Sequence, residues 1–75
     1  MSFYYELEKV RFYRYREDRI TSIMESQNLP MLIEQAKQVK LRKGETFEEK
    51  VRIAKIDLKS KDILDYPYLR YIGDK

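Results

Sequence analysis

Cationic and aromatic side chains alternate along one short run, where Lys9, Arg11, Arg14, Arg16 and Arg19 are interleaved with Phe12, Tyr13 and Tyr15. A guanidinium fork grips phosphate through two parallel hydrogen bonds, and an aromatic ring stacks on an unpaired base, so this mixture has the chemistry that a nucleic-acid surface requires. Tyr and Arg are equally the residues that dominate protein interfaces. A plainer possibility is a helix whose Arg stems cover apolar surface while Glu17 and Asp18 balance the charge. A second cationic run, Lys37, Lys40, Arg42 and Lys43, meets no acid between Glu34 and Glu45. Contacts from such a run to a phosphate backbone release counterions and make binding salt dependent. The same cations also suit the C-terminal end of a helix dipole.

Catalytic chemistry is poorly supplied. The chain has neither His nor Cys, which removes the commonest general base, the commonest soft nucleophile and any Ser-His-Asp triad. Gly44 and Gly73 are too far apart to build a phosphate-cradling loop. The acidic pairs Glu48 with Glu49, Glu17 with Asp18, and Asp62 with Asp65 read as solvated helix positions. Asp57, Asp62 and Asp65 do not have the spacing of a calcium loop, and without His or Cys a structural zinc site is excluded. The expectation is a protein that is not an enzyme and uses no cofactor and no metal. In the last segment Tyr66, Tyr68 and Tyr71 alternate with Pro67, Leu69 and Ile72, a pattern that fits a lid over the core or a docking segment pre-ordered by proline.

Four punctuating residues, Pro30, Gly44, Pro67 and Gly73, divide the chain into the blocks that must position these groups. From Ser2 to about Glu25 the spacing of Phe3, Leu7, Val10, Tyr13, Ile20 and Met24 predicts an amphipathic helix, with a strand through Val10 to Arg16 as the alternative. The middle block predicts a helix that starts at Asn28 or Leu29, carries Pro30 in its first turn, buries Leu29, Leu32, Ile33, Ala36 and Val39, and ends at Gly44. Thr46 and Glu49 have the form of a capping box, and Phe47, Val51, Ala54 and Leu58 then predict a third helix. Ile53 and Ile56 fall off that stripe, which assigns them to a second contact face, expected between chains of an oligomer, with a fully packed central helix as the alternative. Ser60 begins a short fourth helix or turn through Ile63 and Leu64 before Pro67. The region from Ile20 to Gln38 makes a poor helix-turn-helix, because Lys37 falls where an apolar residue is required.

The fold class expected is therefore all-α, one small domain over residues 1–75 with three helices and a short C-terminal helix or turn; the alternative is α+β with a strand near residues 9–16. A chain of 75 residues buries a modest core, so self-association into a homo-oligomer is expected to supplement it. Charge is nearly balanced at 16 basic against 13 acidic residues, but residues 1–43 hold nine basic and six acidic while residues 44–75 hold seven of each, so the whole excess lies early in the chain. No run of apolar residues is long enough for a membrane span, the first residues do not resemble a signal peptide, and cysteine is absent, which together suggest a cytoplasmic location. The function expected is that of a small regulatory protein binding nucleic acid through residues 9–19, assisted by residues 37–43. The alternatives are a protein-binding adaptor or inhibitor of the kind that viruses and mobile elements encode, and a structural subunit of an assembly.

Overall fold

Two β-hairpins joined by one helix make up the chain in the computed structural model, which describes residues 2–73. The elements are β1 (Phe3–Tyr13), β2 (Arg19–Ser26), α1 (Leu29–Gln38), β3 (Phe47–Asp57) and β4 (Ile63–Tyr71). They form a four-stranded sheet in the order β2-β1-β3-β4, antiparallel throughout. The all-α expectation is overturned: the first block is a hairpin instead of a helix, the third block is the central strand β3, and the short fourth helix is part of a turn and strand. Only the middle block is helical. The alternative strand near residues 9–16 overlaps β1, but β1 starts at Phe3 and residues 14–16 form the turn that follows it.

The misleading periodicity has a physical cause. Side chains alternate across a strand, and Leu7 pairs with Ile53 while Lys9 pairs with Val51, so these odd-numbered positions face the helix together. Leu7, Val51, Ile53, Leu32 and Ala36 are fully buried and make the core, with Tyr5 and Tyr68 packed against it. Val10, Ala54 and Ile56 point the other way and are also buried, at 1%, 0% and 7% exposure. Apolar residues on both faces of one strand, three or four apart, imitate a helical stripe.

The helix is fixed at both ends. Asn28 Oδ1 accepts from the Met31 amide at 3.1 Å, and Pro30 stands in the first turn where its missing amide does no harm. The C-terminus comes earlier than the sequence suggests, with Val39 already extended. Lys40, Arg42 and Lys43 thus lie beyond the helix and Lys37 alone is the cation of its last turn. Instead of a glycine cap, Arg70 reaches from β4, and its Nη2 donates to the carbonyls of Ala36 at 2.9 Å and Val39 at 2.7 Å. The Ala36 carbonyl also accepts from the Val39 amide at 3.2 Å, so the charge-assisted bonds from Arg70 reinforce that carbonyl, hold the one of Val39 and complement the dipole. Replacing Arg70 by Ala is expected to lower the unfolding free energy by about 1–2 kcal/mol, measured as a shift of the urea midpoint at unchanged slope. Arg70→Lys should recover part of it. A variant as stable as wild type would show that water serves these carbonyls equally well.

Gly44 has a different task. Its amide donates to the Phe47 carbonyl at 2.9 Å, and a Cβ at this position would collide with the Phe47 ring. At the other end of β3, Asp57 Oδ1 accepts from the amides of Lys59 and Ser60, and Lys61 closes the turn with φ of 64°. Pro67 is accommodated because β4 is an edge strand with two register irregularities against β3.

Candidate functional site

The helix covers one face of the sheet around Leu7 and Ile53 and leaves the end beyond its C-terminus open. There β1 contributes Lys9, Arg11 and Tyr13, β2 contributes Arg19 and Thr21, and β3 contributes Glu49 and Phe47, because Arg11 pairs with both Arg19 and Glu49, and Tyr13 pairs with Phe47. Glu49 is the organising group and is only 1% exposed. Its Oε2 accepts from Arg11 Nε at 2.9 Å and lies 2.9 Å from Arg11 Nη2, its Oε1 accepts from the Arg42 amide at 2.8 Å, and Lys9 Nζ stands 3.8 Å away. Burial pushes this carboxyl up, but the Arg11 guanidinium, the Arg42 amide and Lys9 together outweigh it and hold Glu49 below the usual carboxylate range.

Glu49 thus ties the two cationic runs together. Arg42 from the second run is bonded to the carboxylate that Arg11 of the first run grips. The connection is reinforced where the Arg14 amide donates to the Thr46 carbonyl at 3.0 Å and Lys43 Nζ lies 3.1 Å from Glu48 Oε1. A groove of about 320 Å³ opens here, with Phe12, Tyr13 and Arg14 on one wall and Lys43, Gly44 and Phe47 on the other, together with the carboxylates Glu45 and Glu48. A smaller notch of about 210 Å³ lies beside it, lined by Lys9, Arg11, Arg19, Thr21 and Glu49. The rings are partly clad in cations: Arg11 sits 4.3 Å from the Phe47 centroid, Arg16 sits 5.1 Å from that of Tyr13, and the two rings are 6.0 Å apart.

Of the residues singled out in the sequence, Lys9, Arg11, Tyr13, Arg14, Arg19 and Lys43 line this end of the molecule. Tyr15 and Arg16 project from the β1–β2 turn, Tyr15 at 84% exposure. Lys40 and Arg42 are exposed in the segment after the helix. Among the described residues no carboxylate pairs with Arg14, Arg19, Lys40 or the Arg42 side chain. Lys37 stands apart on the helix, 3.6 Å from Glu34, whereas Phe12 borders the groove although its ring turns toward the opposite side of the sheet, where Lys50 Nζ lies 5.6 Å from its centroid. Ile53 and Ile56 fall on opposite faces; Ile53 is sealed under the helix within one chain.

Three residues of structural weight were missed by the sequence reading: Glu49 as a buried anchor, Arg70 as a helix cap and Arg52, whose Nε donates to Glu8 at 2.8 Å. Once residues 47–57 are recognised as a strand, Glu49 falls in line with Val51 and Ile53 and is marked as a carboxylate on a core-facing stripe. The face away from the helix is unsuited to phosphate at its far end. Glu6 is pushed up to about 7 there, first by its hydrogen bond to Glu8, then by burial and by the charges of Glu8 and Glu25. Among the described residues no group of acidic side chains could hold a metal ion, and no helix is long and apolar enough to cross a membrane. No family model, curated protein or solved structure matches the chain.

Proposed function

We propose that this protein binds the phosphate backbone of a nucleic acid at the end of the sheet beyond the helix C-terminus. The observation that carries this function is the meeting around Glu49 of two cationic runs that most of β2 and α1 separates in sequence. One carboxylate occupies Arg11 and Lys9 and leaves Arg14, Arg19, Lys40 and Arg42 for an external anion. Backbone contacts need unpaired cations on an exposed surface, while the exposed Tyr15 adds a ring on which an unpaired base can stack. Arg11 itself has a mainly structural role, since its guanidinium is committed to Glu49 and Phe47.

The test is binding of mixed-sequence single strands and duplex across a salt series. Log affinity should fall linearly with log salt, at about 0.9 per duplex phosphate neutralised. Arg14→Ala or Lys40→Ala should each weaken binding about tenfold and reduce that slope by about 1, with no change of fold. Tyr15→Ala should weaken single-strand binding by about 1–3 kcal/mol and leave duplex binding unchanged. Absence of binding to either at about 50 mM salt, where backbone contacts are strong, would sink the proposal.

A further inference from the structure

We infer that the notch between β1 and β2 holds the terminal phosphate monoester of a nucleic-acid strand, an inference that rests on the nucleic-acid reading of the basic end. Lys9 stands directly opposite Thr21, and Arg11 directly opposite Arg19, so these side chains form two adjacent rungs on the face that carries the helix. The register irregularity of this strand pair falls between Leu7 and Glu8, outside both rungs, and leaves their facing intact. With Glu49 of β3 they enclose about 210 Å³. Like charges set directly opposite each other across a strand pair repel. Arg11 and Arg19 are placed in that way, and one carboxylate serves only the first of them: Glu49 takes Nε and Nη2 of Arg11, and no carboxylate among the described residues pairs with Arg19. An anion seated between the rungs relieves the repulsion. Three donors are open to it. They are the guanidinium of Arg19 and the hydroxyl of Thr21, both on exposed residues, and the ammonium of Lys9, which at 3.8 Å from Glu49 is too distant for a hydrogen bond.

Charge selects the kind of phosphate. Three cations against one carboxylate leave the notch with two positive charges in excess. A phosphodiester inside a strand brings a single negative charge and leaves half of that excess standing. A phosphate monoester carries about −1.5 to −2 at neutral pH and comes close to cancelling it. In a nucleic acid a monoester occurs only where a strand ends. The next rung on the same face, Tyr13 opposite Phe47, lies about 7 Å further along the strands and borders the wider groove. That groove also carries Glu45 and Glu48, which repel a second phosphate and can accept from the N–H groups of a base. The phosphate therefore sits in the notch and the terminal nucleoside beside it in the groove.

The experiment titrates the full chain with short single strands of one sequence that differ only at their ends: a 5′-phosphate, a 3′-phosphate, the methyl ester of either phosphate, or hydroxyls at both ends. At about 50 mM salt, where backbone contacts are strong, one of the phosphorylated strands should bind about tenfold or more tightly than the hydroxyl strand. Which of the two does so identifies the end. Its methyl ester, a monoanion, should lose most of the gain. Arg19→Ala should abolish the preference and Thr21→Val should reduce it, both with the circular dichroism of wild type. Arg14→Ala should weaken every strand alike and leave the ratio unchanged. Measurable binding that is equal for phosphorylated and hydroxyl strands overturns this inference and leaves the backbone reading standing, whereas no binding of any strand removes both. A preference that survives Arg19→Ala, or a methyl ester as tight as the free monoester, also overturns it. Inorganic phosphate that competes as well as the phosphorylated strand would overturn the strand end as occupant.

Discussion

Glu49→Ala is expected to lower the unfolding free energy by about 3 kcal/mol, the low end of what breaking a buried ion pair costs. The low end applies because Arg11 and Lys9 retain 30% and 31% of their side-chain exposure and can turn to water, whereas Glu49 is 1% exposed. What cannot be rescued is the Arg42 amide, which loses its 2.8 Å acceptor, and the space beneath Arg11. Glu49→Gln should cost less, since an amide oxygen can still accept from that amide. The pH dependence follows from the sign of the shift. The folded carboxyl lies below its ordinary value of 4.5, so the folded chain binds fewer protons than the unfolded one. Its stabilisation is therefore present above about pH 4.5 and is lost as pH falls through the depressed folded value. Glu6 works in the opposite sense: pushed up to about 7, its contribution is present below about pH 4.5 and lost as pH rises through 7. Urea midpoints between pH 3 and 8 should thus show Glu49→Gln with a flatter acid limb than wild type. A Glu49→Ala protein within about 1 kcal/mol of wild type would refute the anchor role.

The helix was legible because its signals are local. Asn28, Pro30 and the spacing of Leu29, Leu32, Ile33, Ala36 and Val39 need no knowledge of the rest of the chain, although its end at Gln38 did require Arg70, supplied from β4. The strands were hidden because the sheet buries residues on both faces. Arg52 shields the uncovered side, with its Nε on Glu8 and its guanidinium 4.8 Å from the Tyr66 centroid. Long side chains of this kind let Val10 and Ala54 be buried without a second layer, and the period of two is lost. Thr46 and Glu49 mimicked a capping box, yet the Thr46 carbonyl accepts from the Arg14 amide and Glu49 is the buried anchor. The cations of the candidate site could be read as charge. Their convergence could not, since it depends on the register that sets Arg11 opposite Glu49 and Tyr13 opposite Phe47.

Ile53 and Ile56 give the sharpest contrast between a covered and an uncovered face. Ile53→Ala is expected to cost about 3–4 kcal/mol and Ile56→Ala about 1–2 kcal/mol, because the cost of a truncation depends on how far its surroundings can collapse. Ile53 lies at 0% exposure between Leu7 and the helix residues Leu32 and Ala36, and the helix is held at one end by Asn28 and at the other by Arg70. A helix pinned at both ends cannot settle onto the shortened side chain, so a cavity remains. Ile56, 7% exposed, pairs with Tyr4 and with Ile63, itself 50% exposed, and among the described residues no helix or further strand lies over them. Those neighbours can lean in, and any remaining gap opens to solvent. Sequence alone assigned both residues to a contact between chains, and chemical denaturation at two protein concentrations separates the possibilities. If neither residue lies between chains, the loss from Ile53→Ala and from Ile56→Ala should not depend on concentration. A loss from Ile56→Ala that grows on dilution would place an interface on the uncovered face, and equal costs at the two positions would contradict the asymmetry of the sheet.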